Sequence, residues 1–338
     1  LNVADANDDE ETPNESTTAL KRAAENFRNT AENVTNYVIR IINKATGNDN
    51  TLNVTLKDVN IDASSSKTND AALSVEGAGD TKITLVGDNK LTSGNQCAGL
   101  EHNEESTGTT GKLTITSGTD KNGNNTGSLT ATGSGASAGI GSVTFFLGSG
   151  AGIIEIAGGT ITEAIGGDGG AGIGSGANSF GTTTVNITSG TVKAQGGDYG
   201  AGIGGGDNSR NTNITISGGT IEEAVGGSTG DGIGGGNNSS NITVTIQGGT
   251  IKKAQGGKGN FYAGHGIHSD STLNISGGTI ENAQGGNGNF YGGHGIYSDS
   301  TLNISGKAFI QNAKGGDGGT EGGSGIRSDS TLDISDQA

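Results

Sequence analysis

The chain has 338 residues, of which 68 are glycine, one is proline and one is cysteine. Glycine does not recur at every third position, which excludes collagen, and a lone cysteine excludes a disulfide scaffold. A formal net charge of −16 argues against nucleic acid as a partner, because phosphate binding needs clustered lysine and arginine. No apolar run approaches the roughly 18 residues that a transmembrane segment needs.

The N-terminal part of the chain differs from the rest. Residues 1–14 form a predicted acidic arm, and residues 15–44 are predicted to hold a capping helix and then a first strand at 38–42. Because the chain begins with leucine, we expect a mature secreted chain that has lost a signal peptide and is located outside the cell or on its surface. Apolar residues at helical spacing predict a short amphipathic helix over 16–33, which would cover the first coil. They are Leu20, Ala23, Ala24, Phe27 and Ala31.

From residue 45 to residue 338 the sequence repeats with a period near 30. Each period carries a strand such as Thr-Leu-Asn-Ile-Ser, a Gly-Gly-Thr-Ile segment, and a Gly-Ile pair after a glycine-rich loop. Three short strands and three bends per period predict an all-β fold, a right-handed parallel β-helix (a β-solenoid) of about ten coils. Stacked corners leave little space for a Cβ atom, which explains the abundance of glycine. The isoleucines of the Gly-Ile pairs are Ile173, Ile203, Ile233, Ile267, Ile296 and Ile326.

Three segments, residues 89–100, 127–133 and 171–174, are similar to a known group of sequences. They resemble the glycine-rich parallel β-helix regions of large secreted surface proteins of clostridia-like bacteria. The resemblance covers about residues 50–335. It implies a β-helical fold and a location at the cell surface, and some members of this group are labelled carbohydrate-binding or adhesin-like. It implies no catalytic residue.

Two Gly-His-Gly triplets, centred on His265 and His294, resemble a motif of pectin-cleaving β-helix hydrolases. That chemistry also needs several carboxylates that converge on one cleft. The two histidines lie one period apart, as the positions of a repeat do, so we interpret them as a stacked column at a corner and predict that the protein is not an enzyme. The same position in other coils is occupied by Ala171, Ala201, Asp231 and Ser324.

A second column carries aspartate in three Ser-Asp-Ser triplets, at Asp270, Asp299 and Asp329. Carboxylates and carbonyls in glycine-rich turns suit Ca²⁺, so these residues are candidates for a calcium ladder. The alternative is that each aspartate caps a turn through its own backbone. Apart from this ion, we expect no cofactor.

Aromatic residues form a third set, in loops of neighbouring coils. Aromatic faces flanked by Asn and Asp are surfaces on which sugar rings stack, which makes these residues candidates for glycan binding. The alternative is that the rings stack on each other and cover the corner. The residues are Tyr199, Phe261, Tyr262, Phe290 and Tyr291.

The two ends of the chain are similar to each other, because its first residues repeat the pattern of its last strand. An unpaired parallel edge attracts another chain. We therefore expect the arm of one subunit to dock on the C-terminal edge of the next, which would produce an open head-to-tail filament. The predicted contact joins Leu1, Asn2 and Val3 to Leu332, Asp333 and Ile334.

These features together predict a non-enzymatic, secreted structural protein whose partner is itself. Copies would assemble head to tail into an extracellular filament or a surface layer. The alternative is a carbohydrate-binding adhesin segment of a larger bacterial surface protein, with a polysaccharide as its partner.

Overall fold

The structure is a computed structural model, and it describes residues 2–3, 34–45, 51–65, 69–104, 110–144 and 149–335. The helix predicted over 16–33 and the first residue, Leu1, lie outside the described residues. The strand predicted at 38–42 is confirmed, and it begins at Ile39 and ends at Ile42.

The described residues form short parallel strands that wind into a β-solenoid of about nine turns, close to the ten coils predicted. The all-β fold class is therefore confirmed. In chain order the strands are β1 (Asn2–Val3), β2 (Ile39–Ile42), β3 (Leu52–Lys57), β4 (Asn60–Asp62), β5 (Leu73–Glu76), β6 (Thr81–Thr92), β7 (Leu100–His102), β8 (Leu113–Ser117), β9 (Gly127–Thr132), β10 (Ile140–Gly141), β11 (Gly152–Ile165), β12 (Ile173–Gly174), β13 (Thr183–Gln195), β14 (Ile203–Gly204), β15 (Arg210–Ile216), β16 (Thr220–Val225), β17 (Ile233–Gly234), β18 (Ser240–Ile251), β19 (Ala254–Gln255), β20 (Ile267–Ser269), β21 (Thr272–Ile280), β22 (Ala283–Gln284), β23 (Ile296–Ser298), β24 (Thr301–Ile304), β25 (Phe309–Ile310), β26 (Ala313–Lys314), β27 (Ile326–Ser328) and β28 (Thr331–Ile334).

Two sheets enclose the solenoid, and they provide three faces per coil. Sheet A is one face, with eleven strands in the order β1, β2, β5, β7, β10, β12, β14, β17, β20, β23 and β27. Sheet B contains the other strands and covers the remaining two faces, because its long strands pass through a bend. In β13 and β18 the bend lies at Gly190 and Gly249, whose φ angles of 86° and 78° favour glycine.

The core is a set of columns in which like residues stack from coil to coil. Alternation along each strand sends every second side chain inward, so Leu273 and Ile275 of β21 are buried and pair in register with Leu302 and Ile304 of β24. The isoleucines of the Gly-Ile pairs form one such column along sheet A. The predicted period is therefore confirmed at the level of individual residues.

The glycines at the corners are fixed by close approach between coils. A Cβ atom on Gly286 would lie far inside van der Waals contact of the carbonyl oxygen of Gly257, one coil earlier. In the same way, a Cβ atom on Gly257 would overlap the carbonyl oxygen of Gly227, and a Cβ atom on Gly316 would overlap that of Gly286. Any larger residue in this column would push two coils apart and break their hydrogen bonds.

The two ends of the described solenoid lie in different sheets. Strand β1 pairs in parallel with β2 of the same chain, at one edge of sheet A. Strand β28 pairs with β24 in sheet B, and its Leu332 and Ile334 are 48% and 62% exposed, whereas Leu302 and Ile304 beneath them are buried. Docking of the N-terminal residues on the C-terminal edge of a second copy stays a prediction.

Substituting Gly286 by alanine tests the packing of the corners. We expect Gly286→Ala to lower the free energy of unfolding by at least about 2 kcal/mol, because its Cβ overlaps the Gly257 carbonyl. The matched control is Gly322→Ala. Its added Cβ atom would lie 3.4 Å from the nearest atom, the carbonyl oxygen of Gly316, so the free energy of unfolding should change by less than about 0.5 kcal/mol. Chemical denaturation followed by circular dichroism measures both, and equal stability of the two variants would contradict the close-packed corner.

Candidate functional site

One corner column changes its chemistry along the chain. Backbone hydrogen bonds place Asp231, His265, His294 and Ser324 at equivalent positions of successive coils, because the N–H groups of Gly202, Gly232, Gly266 and Gly295 donate to their carbonyl oxygens in turn. The column predicted from the sequence is therefore confirmed. Alanine occupies it in the earlier coils, at Ala171 and Ala201.

The side chains of this column bind the backbone of the next coil. The N–H of His265 donates to Asp231 Oδ1 at 2.8 Å, and the N–H of His294 donates to His265 Nδ1 at 2.9 Å. The N–H of Ser324 then donates to His294 Nδ1 at 2.7 Å. Where alanine occupies the column, the backbone N–H at this position bonds within its own coil. The N–H of Ala201, for example, donates to the carbonyl oxygen of Gly205 at 3.0 Å. The histidines thus replace a local hydrogen bond by one between coils.

This bonding fixes the charge state of both histidines. Their rings stack with centroids 5.2 Å apart, and each Nδ1 accepts a backbone hydrogen bond, so neither ring carries a proton on Nδ1. In His265 the proton of the neutral ring therefore lies on Nε2, whereas the Nε2 atom of His294 lies 3.3 Å from Nη1 of Arg327. Burial lowers the pKa of His265 to about 3, and burial followed by the charge of Arg327 lowers the pKa of His294. The two Gly-His-Gly triplets are therefore held as neutral parts of a corner ladder.

A second column lies beside the first, on sheet A. The register of β20, β23 and β27 aligns His268, Tyr297 and Arg327. The rings of His268 and Tyr297 are nearly parallel with centroids 5.1 Å apart, and the Arg327 guanidinium lies 5.6 Å from the centre of the Tyr297 ring. The contact between the Arg327 guanidinium and the Tyr297 ring is a cation–π interaction.

His268 is surrounded by three carboxylates. Its Nδ1 is 2.9 Å from Asp231 Oδ2, and its Nε2 is 3.4 Å from Asp299 Oδ1 and 3.7 Å from Asp270 Oδ1. Burial by itself would lower the pKa of His268, but the charge of Asp231, the hydrogen bonds to Asp231 and Asp299, and the charge of Asp270 outweigh it and raise the pKa to about 10. In the absence of another cation, His268 is the positive centre of this cluster.

The three aspartates predicted as a calcium ladder do not share one environment. Asp270 Oδ2 accepts the N–H of Ile242, and burial raises the pKa of its carboxyl group. Asp299 faces His268, whereas Asp329 accepts the hydroxyl of Tyr297 at 2.7 Å and the Nε–H of Arg327 at 2.8 Å. Asp270 and Asp299 therefore belong to the His268 cluster, and Asp329 belongs to the rim around Tyr297.

The predicted aromatic columns are present as two stacked pairs. Phe261 stacks on Phe290 and Tyr262 stacks on Tyr291, each with ring centroids 5.0 Å apart, and all four rings are exposed. Tyr199 is also exposed but joins neither pair among the described residues. Ring-on-ring stacking thus agrees with the second of the two interpretations of these residues.

The tyrosine pair borders a groove of about 260 Å³ that the sequence did not reveal. Its lining combines tyrosine rings with the neutral histidines of the corner column. One acidic and one basic side chain, those of Glu321 and Arg327, also line it. Its side-chain lining is Tyr262, Ala263, His265, Tyr291, His294, Tyr297, Glu321 and Arg327. We call this feature the tyrosine groove.

Several residues of the site were missed by the sequence analysis, namely His268, Tyr297, Arg327 and Glu321. A signal for three of them exists, because the segments Ile-His-Ser, Ile-Tyr-Ser and Ile-Arg-Ser occupy one position in three successive coils. The middle residue of each segment points outward from sheet A while its isoleucine is buried in the first two coils. This column follows the histidine corner at a constant spacing of three residues, as in His265 and His268, so the repeat pattern could have placed the two columns side by side.

Comparison with known proteins adds no relative: no known family matches the chain, and neither a curated protein nor a solved structure is significantly similar to it. Across the part of the chain that the structure describes, no helix has the length and apolar character needed to cross a membrane. The site is therefore interpreted from its own geometry.

The pKa of His265 is lowered and that of its neighbour His268 is raised, and this difference provides a direct test of the geometry. In metal-free buffer, ¹⁵N NMR of the imidazole nitrogens should show His268 protonated until the pH approaches about 10, because its positive form is paired with Asp231. His265 should stay neutral until the pH falls to about 3, because its charged form is desolvated. Titration of both rings together near pH 6.5, the ordinary value for histidine, would contradict the described cluster.

Proposed function

We propose that the chain is a carbohydrate-binding segment of a surface protein and that the tyrosine groove is its binding site. The observation that carries this proposal is the combination, in one groove, of exposed aromatic rings with a guanidinium and a carboxylate. Sugars present C–H faces that pack on aromatic rings and hydroxyl groups that bond to charged and polar side chains. Glycan binding was the alternative function in the sequence analysis, and the groove now favours it over the filament.

The groove exists because the aromatic columns stop after two coils. In the next coil Thr320 and Glu321 take the positions of Phe290 and Tyr291, as the bridge between Tyr291 and Glu321 shows. One face of Tyr291 is covered by Tyr262, and no ring follows it on the other side. A sugar ring stacked there would continue the column that the protein leaves unfinished.

Charge restricts the class of sugar. The chain carries a net charge of −16, and Glu321 lines the groove while Asp329 lies at its rim, where it binds Arg327. Uronic acids and sulfated sugars would meet repulsion from these carboxylates. We infer that the ligand is a neutral or amino sugar within a polysaccharide.

Glycan arrays carrying neutral, amino and acidic oligosaccharides test the proposal, with the strongest ligand then measured by calorimetry. We expect binding to neutral or amino sugars, and Tyr291→Ala should weaken it by about tenfold or more because the stacking surface is removed. The control is Phe180→Ala, which removes an aromatic ring that is 49% exposed in an earlier coil, and it should leave the affinity unchanged. Absence of any glycan ligand, or equal affinity of the two variants, would contradict the proposal.

End-to-end association remains a second candidate function, and a specific observation favours it. Leu332 and Ile334 are 48% and 62% exposed on the last described coil, whereas Leu302 and Ile304, which hold the same positions one coil earlier, are covered by the coil that follows them. A second copy that stacked on this coil would bury the exposed side chains in the same way.

Analytical ultracentrifugation over a concentration series tests this second candidate. The unchanged chain should associate reversibly, and the double variant Leu332→Asn with Ile334→Asn should sediment as a monomer at all concentrations, because it lacks the apolar surface. Ile153→Asn is the matched control, since Ile153 is also exposed, at 40%, but lies on the flank of the solenoid. Monomeric behaviour of the unchanged chain at high concentration would exclude self-assembly.

A further inference from the structure

We propose that His268, Asp270 and Asp299 bind a divalent metal ion with the coordination preferences of Zn²⁺. The ligand atoms are His268 Nε2, Asp270 Oδ1 and Asp299 Oδ1, and all three lie within 4.8 Å of one another. This site stands on its own geometry and does not depend on sugar binding in the tyrosine groove.

The distances from the histidine nitrogen to the two carboxylate oxygens are close to those around a tetrahedral ion. Zn²⁺ lies about 2.0–2.1 Å from nitrogen and oxygen ligands, which places neighbouring ligand atoms about 3.3–3.4 Å apart. The Nε2 atom of His268 is 3.4 Å from Asp299 Oδ1 and 3.7 Å from Asp270 Oδ1. A side-chain adjustment of a few tenths of an ångström is enough to close the second distance.

The protein already orients two of the three ligands through their other polar atom. Asp231 Oδ2 accepts the Nδ1–H of His268 at 2.9 Å, which leaves Nε2 directed towards the two aspartates. Asp231 is 4% exposed and is itself fixed by the N–H groups of His265 and Gly235. A carboxylate that holds the second nitrogen of a histidine in this way is typical of metal sites.

Asp270 is held in a similar manner. Its Oδ2 accepts the N–H of Ile242 at 3.0 Å, so that Oδ1 remains available to an ion. The Asp299 side chain is 45% exposed, and it forms the open side of the site, where water can reach the metal and complete its coordination. When Zn²⁺ binds, it takes the place of the proton on His268 Nε2, and that proton is released to solvent.

The neighbouring set of Asp231, His265 and His268 is not proposed as the site. The Nδ1 atom of His265 already accepts the N–H of His294, and both oxygens of Asp231 accept hydrogen bonds from the protein. A metal bound there would displace hydrogen bonds that Asp231 accepts from His265, Gly235 or His268. Asp231 instead acts as a positioning residue for His268.

The donor set also distinguishes Zn²⁺ from the Ca²⁺ expected for the aspartate column. Ca²⁺ prefers six to eight oxygen ligands and binds them at about 2.3–2.6 Å, whereas this cluster offers one imidazole nitrogen and two carboxylates. Asp329, the third member of the predicted calcium ladder, is bound to Tyr297 and Arg327 instead.

Calorimetric titration of the chelator-treated chain with ZnCl₂ tests the site. We expect one Zn²⁺ per chain, a loss of affinity of at least about 100-fold in His268→Gln, and a loss of about 10- to 100-fold in Asp231→Asn. Asp329→Asn is the matched control, because it removes a carboxylate of the same column, one coil further along, and it should leave the affinity unchanged. Circular dichroism establishes that each variant is folded.

A spectroscopic measurement on the unchanged chain keeps the proposal testable if a variant fails to fold. Co²⁺ added to the chain should give the intense visible absorption of a tetrahedral site, and one equivalent of Zn²⁺ should remove it. Saturation by CaCl₂ without Zn²⁺ binding, undiminished Zn²⁺ affinity in His268→Gln, or the absence of a tetrahedral Co²⁺ spectrum would overturn the proposal.

Discussion

The structure depends on one constraint: the backbone of every coil is hydrogen-bonded in parallel register to the backbone of the next. The coils approach so closely at their corners that a Cβ atom on Gly286 would overlap the Gly257 carbonyl. The same register stacks like residues, so that Leu273 lies against Leu302 and Ile275 against Ile304. A thin core shared between coils is therefore sufficient, and glycine at the corners is a requirement of the stacking rather than a mark of disorder.

The same constraint creates the candidate site. A substitution at one position of one coil is placed directly beside its counterparts in the neighbouring coils, so replacing Ala201 by Asp231 and then by His265 converts an inert corner into a polar ladder. The polar side chains then take over backbone hydrogen bonding that alanine leaves to the turn. Where the column of rings ends after Tyr291, the register leaves a step in the surface, and that step is the tyrosine groove.

The sequence was sufficient to predict which residues of successive coils stack in one column. It was not sufficient to predict the contacts between side chains of different columns. The period near 30 was enough to predict the solenoid, the equivalence of Asp231 with His265, and the pairing of aromatic residues in adjacent loops. The environment of His268 was not predictable in this way, because it joins Asp231 from the corner column to Asp270 and Asp299 from a different column. Their distances depend on how the chain turns between strands, which a repeat pattern does not specify. For the same reason Asp299 and Asp329 looked equivalent, although Asp299 faces His268 and Asp329 is bound by Arg327.

The central claim is that stacking in register gathers the distinctive chemistry of this chain around His268. Crystals grown with Zn²⁺ and measured at the zinc absorption edge test it most directly, because anomalous scattering locates the ion without assumptions about its ligands. The account predicts one strong peak about 2.0–2.2 Å from His268 Nε2 and from one oxygen each of Asp270 and Asp299. Zinc found only at other carboxylates or at His102, or no ordered zinc in the crystal, would contradict it.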